Sequence, residues 1–196
     1  MQCDVEFLRP QSTLIFRFVP QREIAGIEGD LLLQFYRVCL LDALEPTAND
    51  AAIAGVTFNL AANLEGMTLT VSGFGESPAK FAEHVADQLL DFQISPQRFA
   101  TLKERVIRGL RSYEQTEAYK LARDRANALA REFIFLPDEK LARASTVTFE
   151  EVRAYAAGYF ATGKIEALIH GHTTHHEAIE IAHNFANYLN TQPAGE

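Results

Sequence analysis

Five of the six histidines fall within fourteen residues: His170, His172, His175, His176 and His183, with His84 standing apart. Imidazole is a common zinc ligand, so a metal site is the first chemistry to test. A helical zinc site usually sets two ligands at i and i+4, one turn apart, so that both lone pairs reach one ion. His176-Glu177-Ala178-Ile179-Glu180 misses H-E-x-x-H at its last position, and no histidine starts the inverted H-x-x-E-H motif. The helix expected after Thr174 buries Ala178, Ala182, Phe185 and Leu189, which turns His176, Glu180 and His183 outward. His176 and His183 are then about 10.5 Å apart along the axis. One zinc with nitrogen ligands at about 2 Å does not take both. The expectation is a polar helix face, with His170-Gly171-His172 forming a turn at a strand end and His84 at a surface or boundary position.

Other chemistries find less support. The chain lacks a G-x-S-x-G elbow. Cys39 lies in an apolar helical run and reads as a small buried hydrophobe; with Cys3 it makes no disulfide framework. Gly73-Phe74-Gly75 follows a strand but lacks the Lys-Ser/Thr and further glycines of a phosphate loop, so it reads as a strand-to-helix turn. Glu150-Glu151 sits in a first helical turn, where acids offset the macrodipole. No residue is assigned a catalytic, cofactor-binding or metal-binding role.

The elements that carry these residues can be read from periodicity. Thr13 to Val19 is β-branched and aromatic and reads as a strand stopped by Pro20. A helix from about Ile24 to Leu44 follows, with Ile24, Ile27, Leu31, Phe35, Val38 and Leu41 as its stripe and Pro46 past its end. A short helical piece, Asn49 to Ala54, is capped by Gly55. Val56–Leu60 and Met67–Phe74 alternate around Asn63-Leu64-Glu65-Gly66 and predict a hairpin. Ser77-Pro78 and Ser95-Pro96 each start a helix, with inner residues Phe81, Val85 and Leu89 in the first and Phe99, Leu102, Val106, Leu110 and Tyr113 in the second. After a step at Glu114–Glu117 that reads as a break or a kink, a run from Tyr119 to Phe135 carries Ala122, Ala126, Leu129 and Phe133, and Pro137 ends that region. Thr148-Phe149-Glu150-Glu151 opens a helix to about Phe160, closed by Gly163. Ile165–Gly171 is a last short strand, and Thr174 caps a final helix to about Leu189.

Few strands with helices clustered between them predict an α+β fold, its sheet covered mainly on one face. The 196 residues, 47% hydrophobic, fit one globular domain over 1–190 with a disordered tail at 191–196. A net charge of −8 argues against a nucleic-acid partner, and Lys103–Arg111 alternates with apolar residues as a solvated helix face does, a partner-facing patch being the lesser reading. No apolar run approaches the roughly 18 residues that span a bilayer, and the first twenty residues lack the apolar core of a signal peptide.

An ordered set of segments carries a family resemblance. Gly55–Leu60, Gly66–Phe74, the helix with Phe81 and Leu89, Ser95-Pro96-Gln97-Arg98-Phe99 leading to Lys103-Glu104 and Leu110, and Ile165–Thr173 together resemble the third domain of insulinase/pitrilysin zinc metallopeptidases. The match runs from about Thr13 to Leu189. One departure is Glu114-Gln115-Thr116, where relatives tend to have Glu-Gln-Pro.

The resemblance implies an antiparallel-rich α+β domain, one of four homologous domains that enclose a chamber in which zinc hydrolyses peptides. Only the first such domain carries H-x-x-E-H, on a helix following an early strand. The corresponding helix here, Ile24 to Leu44, contains no histidine. The implied function is an inactive structural domain of a zinc endopeptidase. Its implied partners are the other domains and, through the chamber wall, the peptide substrate; the zinc would lie in the parent peptidase. An isolated piece could hide its uncovered surface in a dimer. The alternatives are a stand-alone inactive homologue acting as a binding or assembly subunit, and a metal binder using His170 to His183. A general peptide scavenger and a pyrroloquinoline quinone biosynthesis protease are not separated by these residues.

Overall fold

The computed structural model describes residues 2–3, 10–20, 26–63, 66–90, 94–130, 134–160 and 163–189. Five strands form one sheet: β1 (Gln2–Cys3), β2 (Gln11–Pro20), β3 (Thr57–Asn63), β4 (Gly66–Phe74) and β5 (Gly163–Gly171), in the order β1-β5-β2-β4-β3. All pairings are antiparallel except β1 with β5. The fold is α+β with an antiparallel-rich sheet, as expected. The short β1 was not foreseen.

Strand β2 shows why one face is covered. Ser12, Leu14, Phe16 and Phe18 are buried, while Thr13, Ile15 and Arg17 alternate with them on the other side. Register carries this across the sheet: Leu14 lies opposite Val71 and Ile169, and Ile15 opposite Thr70 and Leu168. The buried face packs on α1 (Gly26–Ile53), α2 (Ser77–Leu90), α6 (Phe149–Tyr159) and α7 (His175–Tyr188). Phe16 stacks on Phe185 of α7 at 3.8 Å between ring centroids and 11° between planes. Phe18 meets Tyr159 and Phe160 at 5.3 and 4.5 Å. Such ring pairs add about 0.5–1.5 kcal/mol beyond area burial.

Helix α1 differs from expectation. It runs unbroken through Pro46, joining the two pieces read from the sequence. Proline removes the N–H that would bond the Asp42 carbonyl, but tertiary contacts hold both flanks. Leu44 is fully buried, Ala51 packs on the core, and the Thr47 hydroxyl meets His84 Nε2 of α2 at 3.1 Å. Gly55 ends the helix, with the Val56 N–H reaching back to the Ala51 carbonyl at 2.8 Å. Its buried residues Leu31, Leu33, Phe35, Tyr36, Cys39, Leu40 and Leu44 lie on several sides, because α3 (Pro96–Ser112) and α5 (Pro137–Thr146) pack behind it, away from the sheet. A helix apolar on most sides is a buried helix. Burial pushes the Cys39 thiol up to about 12, with Asp42 adding to the shift, so it is inert in the folded chain.

The caps expected at Ser95, Thr148 and Thr174 are formed. Ser95 accepts from the Arg98 N–H at 3.2 Å, and Thr148 and Thr174 form reciprocal boxes with Glu151 and Glu177. Ser77 is already helical, one position later in the helix than a cap. Three readings need correction. Pro137 begins a helix rather than ending a region: it sits at N1 of α5, where the Leu136 N–H donates to Glu139 Oε2 at 2.6 Å. Gly163 begins β5 rather than closing a helix; a Cβ there would stand 2.5 Å from the Phe18 ring and 2.8 Å from the Val19 carbonyl. Third, α4 (Ala118–Ala130), set off from α3 by a 3₁₀ turn (Tyr113–Gln115) at the foreseen step, buries none of its residues, so Ala122, Ala126 and Leu129 are not an inner stripe. Phe133 and the tail beyond residue 190 lie outside the described residues.

Candidate functional site

The histidine-rich corner lies where β5 turns into α7. His170 projects from the exposed side of β5, in register with Thr13 and Gln2. Gly171 follows with φ +123°, its α-carbon pressed on the β2 backbone: a Cβ would stand 2.2 Å from the Gln11 carbonyl oxygen. That approach lets the His172 N–H donate to the same oxygen at 3.1 Å. Ser12, the one buried polar residue among those described, meets the Thr173 hydroxyl at 3.0 Å and donates to the His172 carbonyl at 3.4 Å.

Glu177 is fixed next. It accepts from the Thr174 N–H at 2.8 Å and the Thr174 hydroxyl at 2.7 Å. Those bonds, the backbone one foremost, hold its carboxyl below the usual range. A carboxylate so engaged is a helix cap before it is a base.

Ala178, Phe185, Ala186 and Leu189 are buried and His175, His176, Glu180 and His183 exposed, as the helical phase predicts. His176 Nε2 lies 3.4 Å from Glu180 Oε1, an open i,i+4 pair. His84 is half-buried on Thr47. Among the described residues, no group of three or more His, Cys, Asp or Glu is arranged to hold a metal ion. The described residues therefore do not fit a zinc centre.

Beside this corner opens a cavity of about 540 Å³ between the starts of α2 and α7. Ser12, Glu76, Lys80, Glu83, His172, Glu177 and Glu180 line it. Lys80 pairs with Glu76 at 3.0 Å. The Ser12 hydroxyl is bonded to a hydroxyl and a carbonyl rather than an imidazole, so it lacks the activated nucleophile's geometry. No sequence spacing pointed to this cavity, since its walls come from three distant segments.

Tyr36, Arg37 and Asp42 of α1 are spent on the fold. Tyr36 donates to the Leu89 carbonyl at 2.6 Å, and Arg37 Nε donates to the Leu60 carbonyl of β3 at 2.6 Å. Arg98 clamps Asp42 with two bonds of 2.8 and 2.7 Å. Desolvation raises the Tyr36 phenol well above its usual range, with Tyr159 and Tyr155 adding to it.

Against this geometry, the comparison with known families is decisive. A family model described as the middle or third domain of peptidase M16 matches residues 1–143. The chain belongs to the peptidase M16 family. Its M16 relatives include the A-factor-processing enzyme of Saccharomyces cerevisiae, 27% identical over 91% of this chain and 17% of that protein. Human insulin-degrading enzyme is 25% identical over 91% of this chain and 18% of that protein. A nardilysin-like protein of Arabidopsis thaliana is 25% identical over 98% and 19%. The chain thus spans about one fifth of the length of the curated relatives it matches. The crystal structure of pitrilysin superposes with a TM-score of 0.88 at 17% identity, covering 99% of this chain and 21% of that one. That likeness extends beyond residue 143, as the sheet does: β5 is inserted between β1 and β2.

Proposed function

We propose that this M16 middle domain is a non-catalytic structural unit of a zinc-dependent endopeptidase, folded as one body over residues 1–190. The zinc and the general base belong to another domain, and this one contributes a wall to the peptide-binding chamber. The observation that carries the reading is α1. It is the helix after the early strand, it holds no histidine, and Tyr36, Arg37 and Asp42 are committed to packing bonds. The uncovered sheet face supplies a wall of suitable chemistry. Successive rows across it read His170–Thr13–Ser72–Thr57, Leu168–Ile15–Thr70–Asn59 and Glu166–Arg17–Thr68–Ala61. The five hydroxyls and the Asn59 amide in these rows suit contact with varied peptides without demanding one side chain.

The test is direct. The purified chain is incubated with internally quenched peptides, with and without added zinc and with a chelator. No chelator-sensitive cleavage is expected. Chelator-sensitive hydrolysis by this chain alone overturns the proposal.

A further inference from the structure

Helix α4 presents an ordered apolar stripe to solvent. Its half-buried line is Lys120, Leu121, Asp124 and Ala128, whereas the apolar stripe Tyr119, Ala122, Ala126 and Leu129 faces solvent. Leu129 is 92% exposed, the highest value of any large apolar side chain among the described residues, and Tyr119 is 63% exposed. The spacing of three, four and three residues puts the stripe on one side over about 15 Å of helix.

The orientation is held in place. Tyr113 donates to Asp124 Oδ2 at 3.2 Å, and Lys120 pairs with Glu117 at 2.6 Å. The Tyr113–Asp124 bond ties the half-buried side to the turn before the helix and so keeps the stripe outward. A helix of thirteen residues is marginal without tertiary packing. A single outward leucine needs no explanation, but an ordered stripe on an otherwise unpacked helix calls for a partner.

Charge narrows the partner. Residues 103–130 carry seven of the eighteen Lys and Arg but four of the 26 Asp and Glu, in a chain of net charge −8. Two copies pairing through α4 would bring Arg123 and Arg125 of each together, and like charges at close range oppose that contact. An apolar groove edged with carboxylates is the complement.

We propose that α4 is the helix by which this domain docks, in cis, onto a neighbouring domain of a longer peptidase polypeptide. This rests on the function proposed above. The M16 relatives carry roughly four fifths of their length outside the matched region, which supplies such a neighbour. Interfaces between domains of one chain are of modest size and mixed polarity, which a stripe with a cationic border suits.

Ala126→Cys in a Cys3→Ser background reports coverage without disturbing the stripe, since Cys39 is buried. Alkylation at position 126 is timed by peptide mass spectrometry in the 196-residue chain and in the full polypeptide its gene encodes. Expected is labelling in the longer polypeptide at least tenfold slower than in this chain, recovered on adding Leu129→Asp. Equal rates in the two overturn the inference, as does a rate in this chain that falls with its concentration, which would mean a second copy. Chelator-sensitive peptidase activity of the longer polypeptide is measured separately. Activity with equal labelling rates leaves the functional reading standing and removes the docking helix. A gene that encodes no further domain removes both.

Discussion

Replacing Gly171 with alanine tests the corner most sharply, because the same substitution at Gly109 should have the opposite sign. At Gly171, φ is +123°, outside the backbone regions that L-residues favour, which costs about 1–3 kcal/mol. The added Cβ would stand 2.2 Å from the Gln11 oxygen and 2.9 Å from the Ser12 Cα. Both are main-chain atoms of a paired strand, so no rotamer relieves the contact. Relief requires the ends of β2 and β5 to part. That weakens the His172–Gln11 and Ser12–Thr173 hydrogen bonds, each worth about 0.5–1.5 kcal/mol. The total is about 2–6 kcal/mol. At about 2–4 °C per kcal/mol for a chain of this size, the melting temperature should drop by about 10 °C. Gly109 lies within α3 with open space around its α-carbon. Alanine there should stabilise by up to about 1 kcal/mol through helix propensity. Urea unfolding followed by circular dichroism measures both. A Gly171→Ala loss under about 1 kcal/mol, with m unchanged, would refute the reasoning; so would equal losses at the two sites.

Two further predictions concern the core and the caps. Phe185→Ala removes the ring stacked on Phe16 and should cost about 3–5 kcal/mol in chemical denaturation, with a loss under about 1.5 showing that α7 does not anchor the sheet. Glu151 is held at about 2 by the Thr148 N–H and then Arg143. A carboxyl depressed in the folded state stabilises fully above about pH 5 and loses that contribution as pH falls towards 2. Its side chain is 38% exposed, so screening reduces the effect to about 1 kcal/mol. Glu151→Gln should therefore lower stability at pH 7 and flatten the decline between pH 5 and 2. A deficit of the same size at pH 2.5 as at pH 7 would rule this out.

Periodicity and capping residues made most elements legible. Thr148 and Thr174 announce their helices because a hydroxyl three residues before a glutamate satisfies two amide protons in one local motif. Histidine exposure on α7 followed from phase alone, since Ala178, Phe185 and Leu189 define the inner side. What the sequence hid depends on distant packing. Pro46 ends a helix by local rules, and only Leu44, Ala51 and the Thr47–His84 contact carry α1 past it. The stripe on α4 has the spacing of a core face, and spacing does not say on which side the core lies. The cavity beside Ser12 is assembled from β2, α2 and α7, whose proximity no local signal encodes.

Strand β2 occupies the middle of the sheet, yet its two neighbours arrive far apart in synthesis. The β4 edge closes within the first 74 residues, whereas β5 begins at Gly163, about 90 residues later. At about 5–20 residues per second, β2 waits on the order of 5–20 s with one edge unpaired. That edge belongs to a strand carrying Leu14, Phe16 and Phe18, the kind of segment that recruits foreign strands. The contacts that relieve it join residues about 160 apart, which slows folding by topology. The nascent chain is therefore most vulnerable to misassembly after its hairpin has formed and before its last strand has left the ribosome.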